Sequence, residues 1–413
     1  MNDLTVLEKL RAASFRENEE DKITIEGAIF LTYSIDCKTI LSGLISMFAE
    51  EENSEERNSN IIECWKRLLR YGMGNKNHTS EEATKELHEH VAFVCNDGYD
   101  KSVFSTIYWY TRDMTYYYKW TEDEGKYSFH PKLYVVKYRK NDELYFRFMI
   151  GSMNFVNSKN KEFMVTMDIP AYEEQPRDEK EYVHCQVLKE LMNLDENYAS
   201  KNIKNGQRLG RVVKNLGLDT YYFNREDMER IIVFPQEKED ILTPFFNEGS
   251  MSKSQQKIIL SPFLSKEMLG KLHPDTRLYT MESELKKLGY IPVSAEEASD
   301  DRTKRFYVYS VNEEEKAFTH IKMYVLEDSV YVGSANFTRS ALGERAIQLE
   351  VDETEKQGKL KKIRKQFGRN KEILMRLDAE AGFLAELESY LEDNYKVNLF
   401  RYEAVEAEEE LSS

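Results

Sequence analysis

Two short strings carry the residue types that phosphoryl chemistry needs. Phe129-His130-Pro131-Lys132 precedes Gly151-Ser152-Met153-Asn154, and Thr319-His320-Ile321-Lys322 precedes Gly333-Ser334-Ala335-Asn336. Lysine supplies a point charge, while serine and asparagine supply neutral donors to the non-bridging oxygens of a phosphate. Histidine, with an ordinary pKa of about 6.5, serves near neutral pH as a neutral nucleophile or a protonated acid. With one histidine from each string, one imidazole can attack phosphorus while the other protonates the leaving oxygen. The downstream context matches too. Leu133-Tyr134-Val135-Val136 answers Met323-Tyr324-Val325-Leu326, and Phe155 answers Phe337, which makes the strings an internal repeat.

The spacing names the elements that must position these groups. Residues two apart in a strand leave on one face, so His130 pairs with Lys132, and Ser152 with Asn154. Leu133 to Tyr138 and Leu144 to Ile150 read as strands around the turn residues Arg139 to Asp142. In the second copy, Val330 to Val332 returns after Glu327-Asp328-Ser329. Lys132 and Gly151 stand 19 positions apart and Lys322 and Gly333 stand 11 apart, so the first hairpin is longer with both ends kept. Each hairpin brings an imidazole, an ammonium, a hydroxyl and a carboxamide to one spot.

The duplicated His-x-Lys and Gly-Ser-x-Asn pattern resembles the phospholipase D superfamily, over roughly residues 25–165 and 257–351. That resemblance implies an α/β fold with two phospholipase D-like repeats packed about a pseudo-two-fold axis. It also implies one shared active site and a phosphohistidine intermediate formed without cofactor or metal. The phospholipases carry an aspartate five positions after the motif lysine; here Lys137 and Glu327 stand there, with Asp328 adjacent to the second. The departure resembles the tyrosyl-DNA phosphodiesterases and bacterial nucleases of the superfamily, where the asparagine of Gly-Ser-x-Asn is the third motif residue. The implied catalytic set is His130, Lys132, Asn154, His320, Lys322 and Asn336, supported by Ser152 and Ser334. Family members often carry Asn-x-Glu after the motif, the glutamate orienting the histidine. Asn160-Lys161-Glu162 matches, and Gln348-Leu349-Glu350 is the comparable string in the second half, so Glu162 and Glu350 are the expected carboxylates.

Composition sets the outer bounds. The chain has 413 residues, room for two or three domains of roughly 150 residues each. Hydrophobic residues make up 41% and aromatics 12%, enough for a packed core. Cys37, Cys64, Cys95 and Cys185 are far apart, which reads as buried free thiols in a reducing compartment. The first residues show no basic segment followed by an apolar run, and no stretch approaches the ~20 apolar residues of a membrane span, so a cytoplasmic protein without a membrane partner is expected. A net charge of −16 speaks against coating nucleic acid by bulk charge and against an anionic membrane surface.

The remaining stretches frame the domains. Cys37 to Glu50 has a helical apolar period, and His88 and His90 precede the strand Val91 to Cys95. The two histidines suggest a metal site or, more simply, a helix end. Ser105 to Trp120 is dense in aromatics, either core strands or a stacking platform for bases beside His130. Lys201 to Leu216 carries five basic residues and no acidic one, a solvated helix face or a phosphate-tracking patch. From Glu355 the sequence reads as helix, with Leu360, Ile363, Phe367, Ile373 and Leu377 as its apolar positions. The expected domains are a first repeat (1–200), a basic connector (201–256), a second repeat (257–354) and a helical C-terminal extension (355–413).

The reading that follows is a metal-independent nuclease acting through phosphohistidine. Its partner is nucleic acid, DNA before RNA, with a homo-oligomer or a delivering protein as further partners. A bacterial enzyme of this type would fit restriction or antiphage defence. Two alternatives stay open: a phospholipid phosphodiesterase or transphosphatidylase, and a non-catalytic nucleic-acid-binding protein on the same fold.

Overall fold

The structure, a computed structural model, describes residues 6–48, 80–97, 108–119, 128–157, 160, 162–177, 179–203, 206–234, 257–273, 275–294, 303–309, 319–326, 328–342 and 370–402. The fold is α/β. The first sheet is built from β1 (Ile23–Thr32), β2 (Val91–Asn96), β3 (Thr115–Tyr118), β4 (Leu133–Lys140), β5 (Glu143–Gly151) and β6 (Met164–Pro170). Their order is β3-β2-β1-β4-β5-β6, with β1, β2 and β3 parallel and β4, β5 and β6 antiparallel to their neighbours. A two-stranded ribbon follows, β7 (Tyr182–His184) with β8 (Tyr222–Asn224).

The second sheet repeats this order. It uses β9 (Ile231–Phe234), β10 (Lys257–Leu260), β11 (Thr276–Thr280), β12 (Tyr290–Val293), β13 (Thr303–Tyr309), β14 (Met323–Val325), β15 (Ser329–Gly333), β16 (Glu372–Asp378) and β17 (Tyr395–Tyr402). Within the order β12-β17-β13-β11-β10-β14-β15-β16-β9, the six strands from β13 to β16 reproduce the first sheet, parallel and antiparallel senses included. The motif hairpins are therefore β4–β5 and β14–β15. The first turns at Asn141 and Asp142, both at positive φ (52° and 71°), which closes a two-residue loop in the hand that suits twisted strands.

Apolar packing holds the sheets together. Alternate side chains of β1, Ile29 and Leu31, share one buried cluster with Ile258 and Leu260 of β10 and Met323 and Val325 of β14. Side chains of opposite parity face outward. Ala28 and Phe30 pack with Ile40, Leu41 and Leu44 of helix Cys37–Phe48, and Ile259 packs with Met268, Leu269 and Leu285. Strands covered on both faces explain why β1, β2 and β10 read as continuous apolar runs rather than alternating ones.

Several expectations change. Residues 372–402 are not a helical extension: β16 and β17 belong to the second sheet and only Ala381–Asn394 between them is helical. Ile373 is fully buried in β16, with Leu377 in the same strand; an apolar run bounded by charges fits helix or strand equally until its neighbours are known. The other apolar positions named for that helix, Leu360, Ile363 and Phe367, lie outside the described residues. The basic connector also joins the body of the protein. Its helix Gly206–Leu216 buries Leu209, Val212 and Val213 in the shared cluster, and β9 pairs with β16. The aromatic stretch splits into a helical turn, Tyr108–Thr111, and β3. Cys37, Cys95 and Cys185 are buried.

Candidate active site

Each Gly-Ser-x-Asn loop is clamped in place by its own backbone. Gly151 N and Gly333 N bond Lys132 O (3.4 Å) and Lys322 O (3.3 Å), closing each hairpin at its motif end. A Cβ on Gly151 would stand 2.1 Å from Phe163 O, and one on Gly333 2.1 Å from Ile373 O, so only glycine admits the neighbouring strand. Ser152 and Ser334 then bond across to it: Ser152 Oγ accepts from Phe163 N (3.0 Å), and Ser334 Oγ accepts from Ile373 N (2.9 Å). The loops are tied to the first strand of each half as well. Phe155 N donates to Thr32 Oγ1 (3.1 Å) and Phe337 N to Ser261 Oγ (2.8 Å).

The histidines are held by carboxylates from opposite halves of the chain. His130 Nδ1 lies 2.9 Å from Glu372 Oε2, and His320 Nδ1 lies 2.7 Å from Glu162 Oε1. Each imidazole also meets the backbone of the opposite loop, His130 at Ser334 and His320 at Ser152. The segment carrying His130 runs beside that carrying Glu372: His130 N donates to Lys371 O (3.0 Å) and Lys371 N to Ser128 O (3.1 Å). On the other flank, Phe129 stacks on Tyr118 at 4.5 Å and its N–H reaches Asn96 Oδ1 at 2.7 Å. The two motifs thus form one cluster, and Lys132 and Lys322 are each buried within electrostatic reach of both glutamates.

The electrostatics follow from burial. Loss of water, together with the ammonium groups of Lys132 and Lys322, pulls both imidazoles well below the ordinary histidine range. Burial lowers Lys132 to about 7 and moves Lys322 well below its usual value. Burial likewise raises Glu372 to about 8 and Glu162 to about 7, against the pull of the lysines. Glu372 receives two further donors, Ser334 Oγ (2.5 Å) and Asn370 Nδ2 (3.1 Å), which favour its carboxylate form. The Lys132 amine donates toward His130 Nε2, so the neutral imidazole carries its hydrogen on Nδ1, facing Glu372, and its lone pair on Nε2. Lys132 Nζ sits 2.8 Å from that Nε2 and 3.0 Å from His130 O. Lys322 Nζ is 2.8 Å from His320 O.

His130, Lys132, Ser152, His320, Lys322 and Ser334 meet here, with Glu162 beside them, although Glu162 holds the histidine of the other half. Asn154 Oδ1 faces Thr32 Oγ1 and Ser34 N, both at 3.4 Å, which turns its amide nitrogen to the remaining side. Asn336 is buried, and its Oδ1 has no hydrogen-bond partner among the described residues. Glu350 lies outside the described residues; the carboxylate on the His130 imidazole is Glu372. The signal for Glu372 was in the sequence: Asn370-Lys371-Glu372 repeats Asn160-Lys161-Glu162 letter for letter. It stands 34 positions after Asn336 against 6 in the first half, so a search at equal spacing stops short of it. Lys137 takes no part; its Nζ meets Tyr221 Oη at 3.0 Å. His90 ends a helix and bonds Glu26 O at 3.0 Å.

No family model matches the chain, and no curated protein matches it either. Among the described residues no helix is long and apolar enough to cross a membrane.

Proposed function

We propose that this chain is a metal-independent phosphodiesterase of the phospholipase D kind that cleaves nucleic acid, DNA before RNA, through a phosphohistidine. The observation that carries the reading is the crossed pairing of His130 with Glu372 and His320 with Glu162. Two half-sites related by a pseudo-two-fold axis would each lend a carboxylate to the other's imidazole. Two oriented imidazoles among two lysines and two carboxamides suit a phosphodiester caught between them.

In the first step His130 Nε2 attacks phosphorus. The nitrogen–phosphorus bond forms, the bond to the leaving oxygen breaks, and His320 gives that oxygen its proton. In the second step His320 takes a proton from water, whose oxygen displaces His130 and frees the product phosphate. His320 must enter the cycle charged although burial opposes this. The negative charge of an arriving phosphate offsets the fields of Lys132 and Lys322, and Glu162 stabilises the imidazolium from behind. Lys132, Lys322 and the Asn154 amide nitrogen would hold the non-bridging oxygens. The absence of the phospholipases' aspartate after either lysine favours nucleic acid over lipid. Four cysteines far apart in the sequence suit the cytoplasmic setting of a restriction or antiphage enzyme.

The test is a cleavage panel in EDTA over single- and double-stranded DNA and RNA, with phosphatidylcholine beside them. Cleavage of a nucleic acid that survives chelation and disappears in His130→Ala is expected. Activity that chelation abolishes and magnesium restores would refute the histidine mechanism, and turnover of the lipid alone would move the substrate class.

A further inference from the structure

A turn beside the first motif carries an aromatic ring that the second half replaces with proline. After β1 ends at Thr32, the chain passes through Tyr33 to Asp36 before helix Cys37–Phe48 begins. The turn is pinned at both ends. Tyr33 O accepts from Asn96 N (3.3 Å), Thr32 Oγ1 donates to Ser34 O (3.0 Å), and Asp36 N donates to Phe155 O (3.3 Å). Asn96 Oδ1 also takes the Phe129 N–H at 2.7 Å. The Tyr33 turn and the segment leading into His130 therefore hang on one asparagine.

Two contacts put the Tyr33 ring in the site. Its centroid lies 4.9 Å from that of the His130 imidazole at an interplanar angle of 63°, the edge-on arrangement that aromatic pairs favour. Lys132 Nζ stands over the same ring, 5.6 Å from its centroid, within the roughly 6 Å of a cation–π contact. One ring thus borders both members of the His-x-Lys pair, whose Nε2 and Nζ are 2.8 Å apart. The negative face of the ring favours the ammonium, whereas burial favours the neutral amine. The second half is built differently at this seat. Ser261 Oγ accepts from Phe337 N (2.8 Å) and donates to Phe263 O (2.7 Å), as Thr32 Oγ1 does with Phe155 N and Ser34 O. That correspondence aligns Pro262 with Tyr33, and a pyrrolidine ring offers no π face to Lys322. Phe263, one position later, meets the His320 ring at 6.0 Å.

We propose that Tyr33 is a positioning residue of the first corner, its ring bracing the His130 imidazole and its face holding the Lys132 ammonium for an incoming phosphate. The proposal rests on the reading of this cluster as a phosphate site. Without the ring, a smaller share of Lys132 is charged in the empty site, and an arriving anion must bring a proton with it more often. His130, Glu162, His320, Lys322 and Glu372 also act on this ammonium or feel its charge, so they titrate with it. Only a difference between side chains at position 33 isolates the ring.

Sulfate titrations of the full chain, followed as Tm from pH 6 to 9 at constant ionic strength, test it, because stabilisation by a ligand reports its affinity. Lys132→Met should abolish the sulfate effect, which assigns that effect to this site. Tyr33→Leu keeps an apolar side chain without a π face. It should bind sulfate about three-fold or more weaker than wild type at pH 8, and within about two-fold at pH 6, where Lys132 is charged in both. Tyr33→Met is expected to match it, and either variant carries the test. Tyr33→Phe should stay within about two-fold of wild type throughout. Unchanged affinity in Tyr33→Leu and Tyr33→Met, or a loss equal at every pH, overturns the proposal. So does a loss in Tyr33→Phe as large as that in Tyr33→Leu. Sulfate stabilisation that is absent from the wild type, or survives in Lys132→Met, overturns the phosphate-site reading itself, and the proposal falls with it.

Discussion

The His130 corner and the His320 corner share a backbone plan and differ in what surrounds each carboxylate. In both, a glycine admits a neighbouring segment, a serine hydroxyl accepts from an amide at the start of that strand, and a lysine bonds its own histidine's carbonyl. At the first corner, however, Glu372 is fully buried and takes extra hydrogen bonds from Ser334 and Asn370. Ser152, the counterpart of Ser334, bonds the backbone of Phe163 instead. The asparagines diverge as well, since Asn154 Oδ1 has Thr32 and Ser34 beside it and Asn336 Oδ1 has no partner among the described residues. Two half-sites with one scaffold can thus be polarised for two jobs. The corner whose carboxylate takes the extra hydrogen bonds suits the imidazole proposed to act as nucleophile through Nε2, which meets Lys132 Nζ in the empty site.

The strongest way to break that division is to remove each histidine in turn. His130→Ala and His320→Ala should each lower turnover of an oligonucleotide by roughly 10³-fold or more. On a p-nitrophenyl phosphodiester, whose leaving group needs no proton, His320→Ala should still form the phosphoenzyme in a burst, whereas His130→Ala should not. A burst from His130→Ala alone would reverse the roles. Next in size, Glu372→Gln and Glu162→Gln should each cost roughly 10²- to 10⁴-fold in kcat with little change in KM, because imidazolium stabilisation is lost. Only Glu162→Gln should be rescued by the better leaving group. Equal rescue of both would erase the difference between the corners.

A pH series tests the shared lysines. Lys132 is lowered to about 7 in the empty site, and an anion would raise it again. Above that value the bound form carries more protons than the free form, so affinity falls as pH rises, by up to about ten-fold per pH unit for each proton taken up. Below it both forms are charged and this dependence vanishes. Sulfate, which does not titrate in this range, should therefore inhibit cleavage progressively less from pH 7 to 9. A flat inhibition constant would mean that Lys132 stays charged throughout. The smallest effect is at the serines. Ser334→Ala should lower kcat a few-fold, for a loss of about 1 kcal/mol at Glu372, and Ser152→Ala should lower Tm while sparing kcat. Equal kcat losses would show that Ser334 acts as a strand cap alone.

Much of this was legible in the residues. Strand β1, helix Cys37–Phe48 and both motif hairpins follow from local pattern, because alternation fixes which side chains of a hairpin share a face, whereas the meeting of the two motif sets was expected only from the family resemblance. Glu372 was missed although its tripeptide is an exact copy, because a long insertion hides a match at fixed spacing. Ile373 and Leu377 were read as helix because the pairing that makes them strand comes from β15 and β9, remote in sequence.

The sequence by itself determined the chemistry available, two His-x-Lys and Gly-Ser-x-Asn sets on hairpins, since residue type and alternation are local. Only the tertiary structure decided that each imidazole takes its carboxylate from the opposite half. That exchange depends on two sheets packing around one shared apolar cluster, and burial there sets the proton affinities of histidines, lysines and glutamates alike. Spacing along a chain carries no record of which groups a core will shut away from water together.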